Sequence, residues 1–282
     1  MITKERLKKI KLVVFDLDGT LLNNQGMIGE ETLQLTEQLK KYGVIFSFAT
    51  GRLHSAVSAY IDEMKIDAPI ITLDGALIQK DTDTKPIHKT FIKPKYVKKA
   101  IRLADKYFLK IALCHPSAIY YTDDNSIIPE VMDKFGAVYK PVYSYEHYLN
   151  EVLEIVMTSD YGDYVKHVSQ KLIFPYTFGL QTSYYKSNSK GGIYYLEVRN
   201  LGSSKGNGLK KLCKYLKIKP RESAVIGDWH NDKSLFETDA LKIAVANAVP
   251  ELKKMADMVT KRTNDEDGAA DFLRILLKAK ET

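Results

Sequence analysis

A chain of 282 residues has room for two domains, and 45% hydrophobic with 27% charged residues is ordinary globular usage that excludes wholesale disorder. The net charge of +7 comes from dispersed lysines, with no basic block longer than three residues. No zinc, basic-zipper or RNP signature accompanies them, so no nucleic-acid partner is expected. No apolar run reaches the ~18 residues of a membrane helix, so no membrane partner is expected either.

The opening "MITKERLKKIK" is basic but too short and too charged for a secretory signal. Cys114 and Cys213 are too far apart for a CxxC motif. A reduced, cytoplasmic protein with two ordinary interior cysteines is expected.

The first apolar run, "KLVVFDL" (11–17), is continuous and β-branched, the pattern of a parallel strand covered on both faces. It ends with two like charges, Asp16 and Asp18, in "VVFDLDGTLL" (13–22). Burying such groups is costly unless they are paired or hold a cation. A helix follows over 30–43, where Leu35, Leu39 and Tyr42 share one face and Gly43 supplies the stop. A second strand, "VIFSFAT" (44–50), leads into Thr50, Gly51 and Arg52, and a third is "PIITL" (69–73).

"DTDTKP" (81–86) reads as an exposed linker, and beyond it the composition changes: 15 of the 18 tyrosines lie between Tyr96 and Tyr195. Helices are expected at 94–108 and 161–172, and strands at 110–122, 152–158, 177–186 and 193–199. "KSNSKGG" (186–192) reads as the exit. Then come "GSSKGNGL" around Lys205, a helix start, and two more continuous strands, "SAVIGD" (223–228) and "LKIAVAN" (241–247). The fold expected is α/β: a doubly wound, Rossmann-like parallel-sheet core at 1–81 and 191–282, with an inserted α/β domain at 82–190 whose sheet is largely antiparallel.

Ligands of open parallel sheets bind beyond the carboxyl ends of the strands. Asp16, Asp18 and Asp228 would meet there, and their repulsion calls for a hard cation such as Mg²⁺. Lys205 adds a fixed positive charge, while the Thr50 hydroxyl and backbone N–H groups suit phosphate oxygens. These are the parts that phosphoryl transfer to an aspartate requires.

"FDLDGTLL", "ATGR", the lone Lys205 and "GDWHND" resemble, in order, the four motifs of the haloacid dehalogenase superfamily of phosphohydrolases. "ANAVPELK" (246–253) and "TNDEDGAADFL" (263–273) look like its Cof-type branch, which carries a type IIB cap between the second and third motifs. Spacing agrees: 32 positions separate Asp18 from Thr50, too few for an inserted domain, whereas 155 separate Thr50 from Lys205.

The resemblance implies Asp16 as nucleophile and Asp18 as the acid that protonates the leaving oxygen and later activates water. It implies Mg²⁺ held by Asp16, the Asp18 carbonyl and Asp228. Thr50, Gly51, Lys205 and Asn231 would bind the phosphoryl group, and Asp232 would orient Lys205. Two positions depart from the branch: Asp74 in "LDGAL" replaces the usual asparagine and adds negative charge near the crevice, and Leu235 stands where methionine is common. Trp229 and His230 occupy free positions of their motif and are assigned no role.

The expected activity is hydrolysis of a small phosphorylated metabolite, sugar phosphates leading, by a monomer or small homo-oligomer. A phosphomutase or phosphotransferase using the same intermediate, and a silent anion-binding module, are the alternatives.

Overall fold

The structure is a computed structural model that describes residues 2–80, 85–122, 138–186 and 192–282. The described chain divides into two compact units, one of residues 1–51, 58–88 and 204–282, the other of 52–57 and 89–203.

The first unit is built on a five-stranded sheet in which every pairing is parallel. Leu12–Phe15 lies between Ile45–Phe48 and Ser223–Gly227, and Leu241–Ala244 and Met258–Val259 continue outward from the latter. Leu12, Val13, Val14 and Phe15 are all fully buried, which is why that run alternates with nothing polar. The third expected strand departs from this pattern. Ile70–Thr72 lies outside the main ladder, meeting the main sheet at a parallel bridge from Ala49 to Ile71, and pairs antiparallel with Leu77–Gln79. Asp74 and Gly75, both at positive φ, make the reversal between them.

The Glu30–Lys41 helix buries Thr32, Leu35, Thr36 and Leu39. Tyr42, expected on that face, caps the helix end and is 47% exposed, because the apolar stripe runs through the two threonines instead. No side chain of the helix's own N-cap residue, Gly29, bonds its first turn. Asp267 does so from the far end of the chain, its Oδ2 accepting the Thr32 N–H at 3.0 Å. A Cβ on Gly29 would lie 2.0 Å from the Asp267 carboxyl carbon, so the glycine makes room for this cap.

The second unit has a six-stranded sheet in the order Leu180–Lys186, Tyr194–Asn200, Glu154–Ser159, Lys110–Cys114, Ile119–Tyr121, Tyr139–Pro141. All pairings are antiparallel except the last. The Pro94–Lys106 and Gly162–Lys171 helices pack Val97, Ala100, Ala104, Val165 and Val168 against Ile111, Leu113, Ile155, Met157, Leu196 and Val198. The alternate residues of the same strands face the other way and include charged groups. There Arg199 Nη2 lies 2.9 Å from Glu154 Oε1, both side chains buried, and the Tyr185 hydroxyl donates to Glu197 at 2.9 Å.

The long segment of this compact unit runs from 89 to 203, while the expected insertion was 82–190. The physical reason is pairing: Tyr194–Asn200 is an interior strand of this sheet, hydrogen-bonded on both sides, so the chain leaves the unit only after it. Much of the two linkers lies at 81–84 and 187–191, outside the described residues.

Candidate active site

The carboxyl ends of the parallel strands bring four of the expected residues together. Asp16 directly follows Leu12–Phe15, and Asp228 follows Ser223–Gly227. Lys205 is the first residue of the Lys205–Tyr215 helix, whose N-cap Ser204 accepts the Asn207 N–H. The helix is anchored again by the Gly206 N–H, which donates to Ser234 Oγ at 3.0 Å.

Lys205 Nζ donates to Asp16 Oδ1 and to Asp232 Oδ1, each at 2.6 Å, and is fully buried. The other Asp232 oxygen accepts the backbone N–H groups of Asp228 (3.0 Å) and Trp229 (3.2 Å). Asp228 Oδ1 accepts the Thr20 hydroxyl at 2.6 Å. Gly19, at φ +77°, permits this approach, since a Cβ there would lie 2.5 Å from Asp228 Oδ2.

The electrostatics follow from burial. Desolvation, then the Asp232 charge, pushes the Asp16 carboxyl well above the usual carboxylate range, with Lys205 pulling the other way. Burial pushes Asp228 up to about 6 despite its bond from Thr20. Burial alone would lower the Lys205 ammonium, but Asp16 and Asp232 outweigh it and keep the group protonated.

Among the described residues, Asp16, Asp228 and Asp232 form the one group of three ligand-type side chains close enough to share a metal. Both Asp232 oxygens are already committed, one to Lys205 and one to two N–H groups. Asp16 and Asp228 are therefore the two carboxylates that fit a hard cation, which would relieve the desolvation both suffer.

The remaining expected residues are placed less centrally. Asp18 is exposed, two residues beyond Asp16 in the turn that bridges Asp18 to Leu22. Thr50 is buried at the end of Ile45–Phe48, and its carbonyl accepts the Asp74 N–H at 3.0 Å. Gly51 is next to it, and Asn231 Nδ2 donates to Asp74 Oδ1 at 3.2 Å.

Asp74 is thus part of the site: it is buried, bonded to Asn231, and its charge adds to the field that holds the Lys205 proton. Its replacement of the usual asparagine was the signal. Thr20 was missed, since a threonine after Asp-Gly reads as turn chemistry until Asp228 is placed beside it. Trp229 is 49% exposed, and His230 Nδ1 lies 3.3 Å from Glu251 Oε2.

A family model for haloacid dehalogenase-like hydrolases matches residues 13–273. The chain belongs to this family. The hydrolase is similar to the 5-amino-6-(5-phospho-D-ribitylamino)uracil phosphatase YwtE of Bacillus subtilis, with 28% identity over 96% of this chain and 99% of that one. Among solved structures it resembles a haloacid dehalogenase-like hydrolase from Bacteroides thetaiotaomicron (TM-score 0.82, 22% identity, 95% of this chain, 99% of that one). It also resembles the subclass IIB sugar phosphatase BT4131 (TM-score 0.77, 24% identity, 94% of this chain, 98% of that one). This haloacid dehalogenase-like hydrolase is a phosphoric monoester hydrolase with a parallel-sheet α/β core. No helix among its described residues is long and apolar enough to cross a membrane.

Proposed function

We propose that the hydrolase removes phosphate from a small phosphorylated metabolite, a phosphate on a sugar or polyol chain, by way of an aspartyl-phosphate on Asp16. The observation that carries this reading is the buried Asp16–Lys205–Asp232 arrangement beside Asp228, both ammonium contacts at 2.6 Å. Asp232 aims the Lys205 ammonium, and Lys205 favours the ionised form of Asp16, opposing part of the upward push of its burial, the rest of which a bound cation would offset. An ionised, desolvated carboxylate is a competent nucleophile toward phosphorus.

Mg²⁺, held by Asp16, Asp228 and the Asp18 carbonyl, would supply the charge that draws a phosphate dianion to this acidic crevice. The Thr50 hydroxyl, the Gly51 N–H and Asn231 bind the phosphoryl oxygens. Asp18 gives its proton to the leaving oxygen as the P–O bond breaks, then takes one from the water that hydrolyses the aspartyl-phosphate. Transfer of the phosphoryl group to an alcohol would use the same parts, and release of inorganic phosphate without a bisphosphate activator separates the two.

The similarity to a phosphatase named for a ribityl phosphate supports a polyol chain as the leaving group. The two buried, unbridged cysteines fit a cytoplasmic enzyme. A screen of sugar and polyol phosphates for phosphate release, with Mg²⁺ and with the Asp16→Asn variant as blank, tests the proposal. Phosphate release by the variant at the rate of the parent would overturn it.

A further inference from the structure

The segments "ANAVPELK" and "TNDEDGAADFL" contain none of the reacting groups, yet both reach into the turn that carries Asp18. Asn247 Nδ2 donates to the Gly19 carbonyl at 2.7 Å across 228 positions of sequence. Its Oδ1 accepts the Asn264 N–H at 2.9 Å, and Asn264 Nδ2 in turn donates to the Leu22 carbonyl at 2.8 Å, across 242 positions. Next along, Asp265 Oδ1 accepts the Asn24 N–H at 2.7 Å.

The asparagine pair is itself hung on the site's backbone. The turn carrying Asn247 begins with the Val245 N–H donating to the Gly227 carbonyl and ends with the Val249 N–H donating to that of Asp228. One connected set of hydrogen bonds therefore runs from the Asp228 main chain, through Asn247 and Asn264, to both sides of the Leu17–Leu22 turn.

That turn needs outside support. Three N–H groups, those of Thr20, Leu21 and Leu22, converge on the single Leu17 carbonyl, which fixes the turn's curl, and the Thr20 hydroxyl on Asp228 Oδ1 gives one tie to the sheet beyond Asp18. Asp18 projects from it with an exposed side chain, unlike the buried Asp16. The carbonyls that anchor the turn to the rest of the unit are those of Gly19, adjacent to Asp18, and of Leu22, its bridge partner.

We infer that Asn247 and Asn264 are positioning residues for Asp18, fixing where its carboxyl stands relative to the leaving oxygen. The inference rests on the reading of Asp18 as acid and base. In the step concerned, the Asp16–phosphorus bond forms as the bond to the leaving oxygen breaks, and the Asp18 proton passes to that oxygen. A poorly placed acid slows departure of a basic oxygen far more than departure of one that leaves as a stable anion.

The test compares kcat/KM for phenyl phosphate and 4-nitrophenyl phosphate in the intact enzyme with Mg²⁺. That constant reports formation of the phospho-enzyme and is insulated from its hydrolysis. Asn247 is exposed, so Asn247→Ala should fold, and Asn264→Ala is the second variant.

Each substitution should lower kcat/KM for phenyl phosphate by ~10–100-fold, the cost of an ångström-scale misplacement, and that for 4-nitrophenyl phosphate several-fold less. Asp18→Asn should show the same bias, larger, and adding Asn247→Ala to it should produce no further bias. Equal losses on both substrates, with a lowered Tm, would make the asparagines a structural tie and overturn the inference. An Asp18→Asn enzyme without the bias would instead overturn the acid reading itself, and the inference with it.

Discussion

Replacing Asp16 by asparagine leaves the shape of the site and removes its nucleophile, so turnover should vanish in a phosphate-release assay. Asp18→Asn should lower kcat by ~10²–10⁴ and let a phospho-enzyme accumulate, visible as a mass increase of the intact protein. Lys205 carries a second consequence. Its side chain is fully buried between Asp16 and Asp232, so Lys205→Met strands two carboxylates without a cation. Removing one partner of a buried pair costs about 3–5 kcal/mol, which urea unfolding of the metal-free protein at neutral pH would register. Asp16 already has a raised folded-state value, so acidification, by protonating it, should return part of that loss. A Lys205→Met variant as stable as the parent at pH 7 would contradict the pairing described.

Among the elements, the contact of the Glu30–Lys41 and Ala269–Lys280 helices is decided by charges remote in sequence. Glu31 accepts from Arg262 Nη1 (2.9 Å) and Arg274 Nε (3.0 Å), while Asp271 accepts from Arg262 Nε (2.9 Å) and two main-chain N–H groups. Arg274, then Arg262, holds the Glu31 carboxyl below its usual range, and the Arg262 and Lys261 donors do so for Asp271 despite its burial. With both values depressed on folding, the stabilisation is complete above the unfolded range of about 4 and is lost as pH falls through the folded values. Arg262→Met should therefore cost about 1 kcal/mol at pH 7, the pairs being partly exposed, and the gap from the parent should close toward acid. Asp267→Ala should cost about 1 kcal/mol more by uncapping Thr32. Such ties explain what was legible in the sequence. Continuous runs such as Leu12–Phe15 and Ser223–Gly227 announce buried parallel strands, and the ordered motifs announce Asp16, Lys205, Asp228 and Asp232. Asp267 as the cap of a helix 235 positions away has no local signal, since proximity is created only by the fold. The pairing of Tyr194–Asn200 has no local signal for the same reason: composition marks exposed turns, whereas hydrogen-bonded neighbours are set by the fold.

At the scale of the molecule, every residue proposed to react lies in the first unit, and nearly all of the second is the contiguous stretch 89–203. Replacing 89–203 by a short Gly/Ser linker should leave a folded core that hydrolyses 4-nitrophenyl phosphate weakly and no longer ranks sugar phosphates. A folded protein that kept the parent's ranking would locate specificity in the core. Excising 82–190 instead should yield aggregates, because Tyr194–Asn200 would be left with neither neighbour. The same arrangement sets a timetable for synthesis. Val14 has Ser47 on one side, but Val225, on the other, is made about 210 residues after it. At ~5–20 residues per second on the ribosome, the central strand waits roughly ten to forty seconds for that neighbour. In the interval all of the 89–203 stretch is made, so chains ended near Tyr215 hold every residue of the insert beside a core whose central strand still has one bare edge. They are the form of this enzyme most in need of a chaperone.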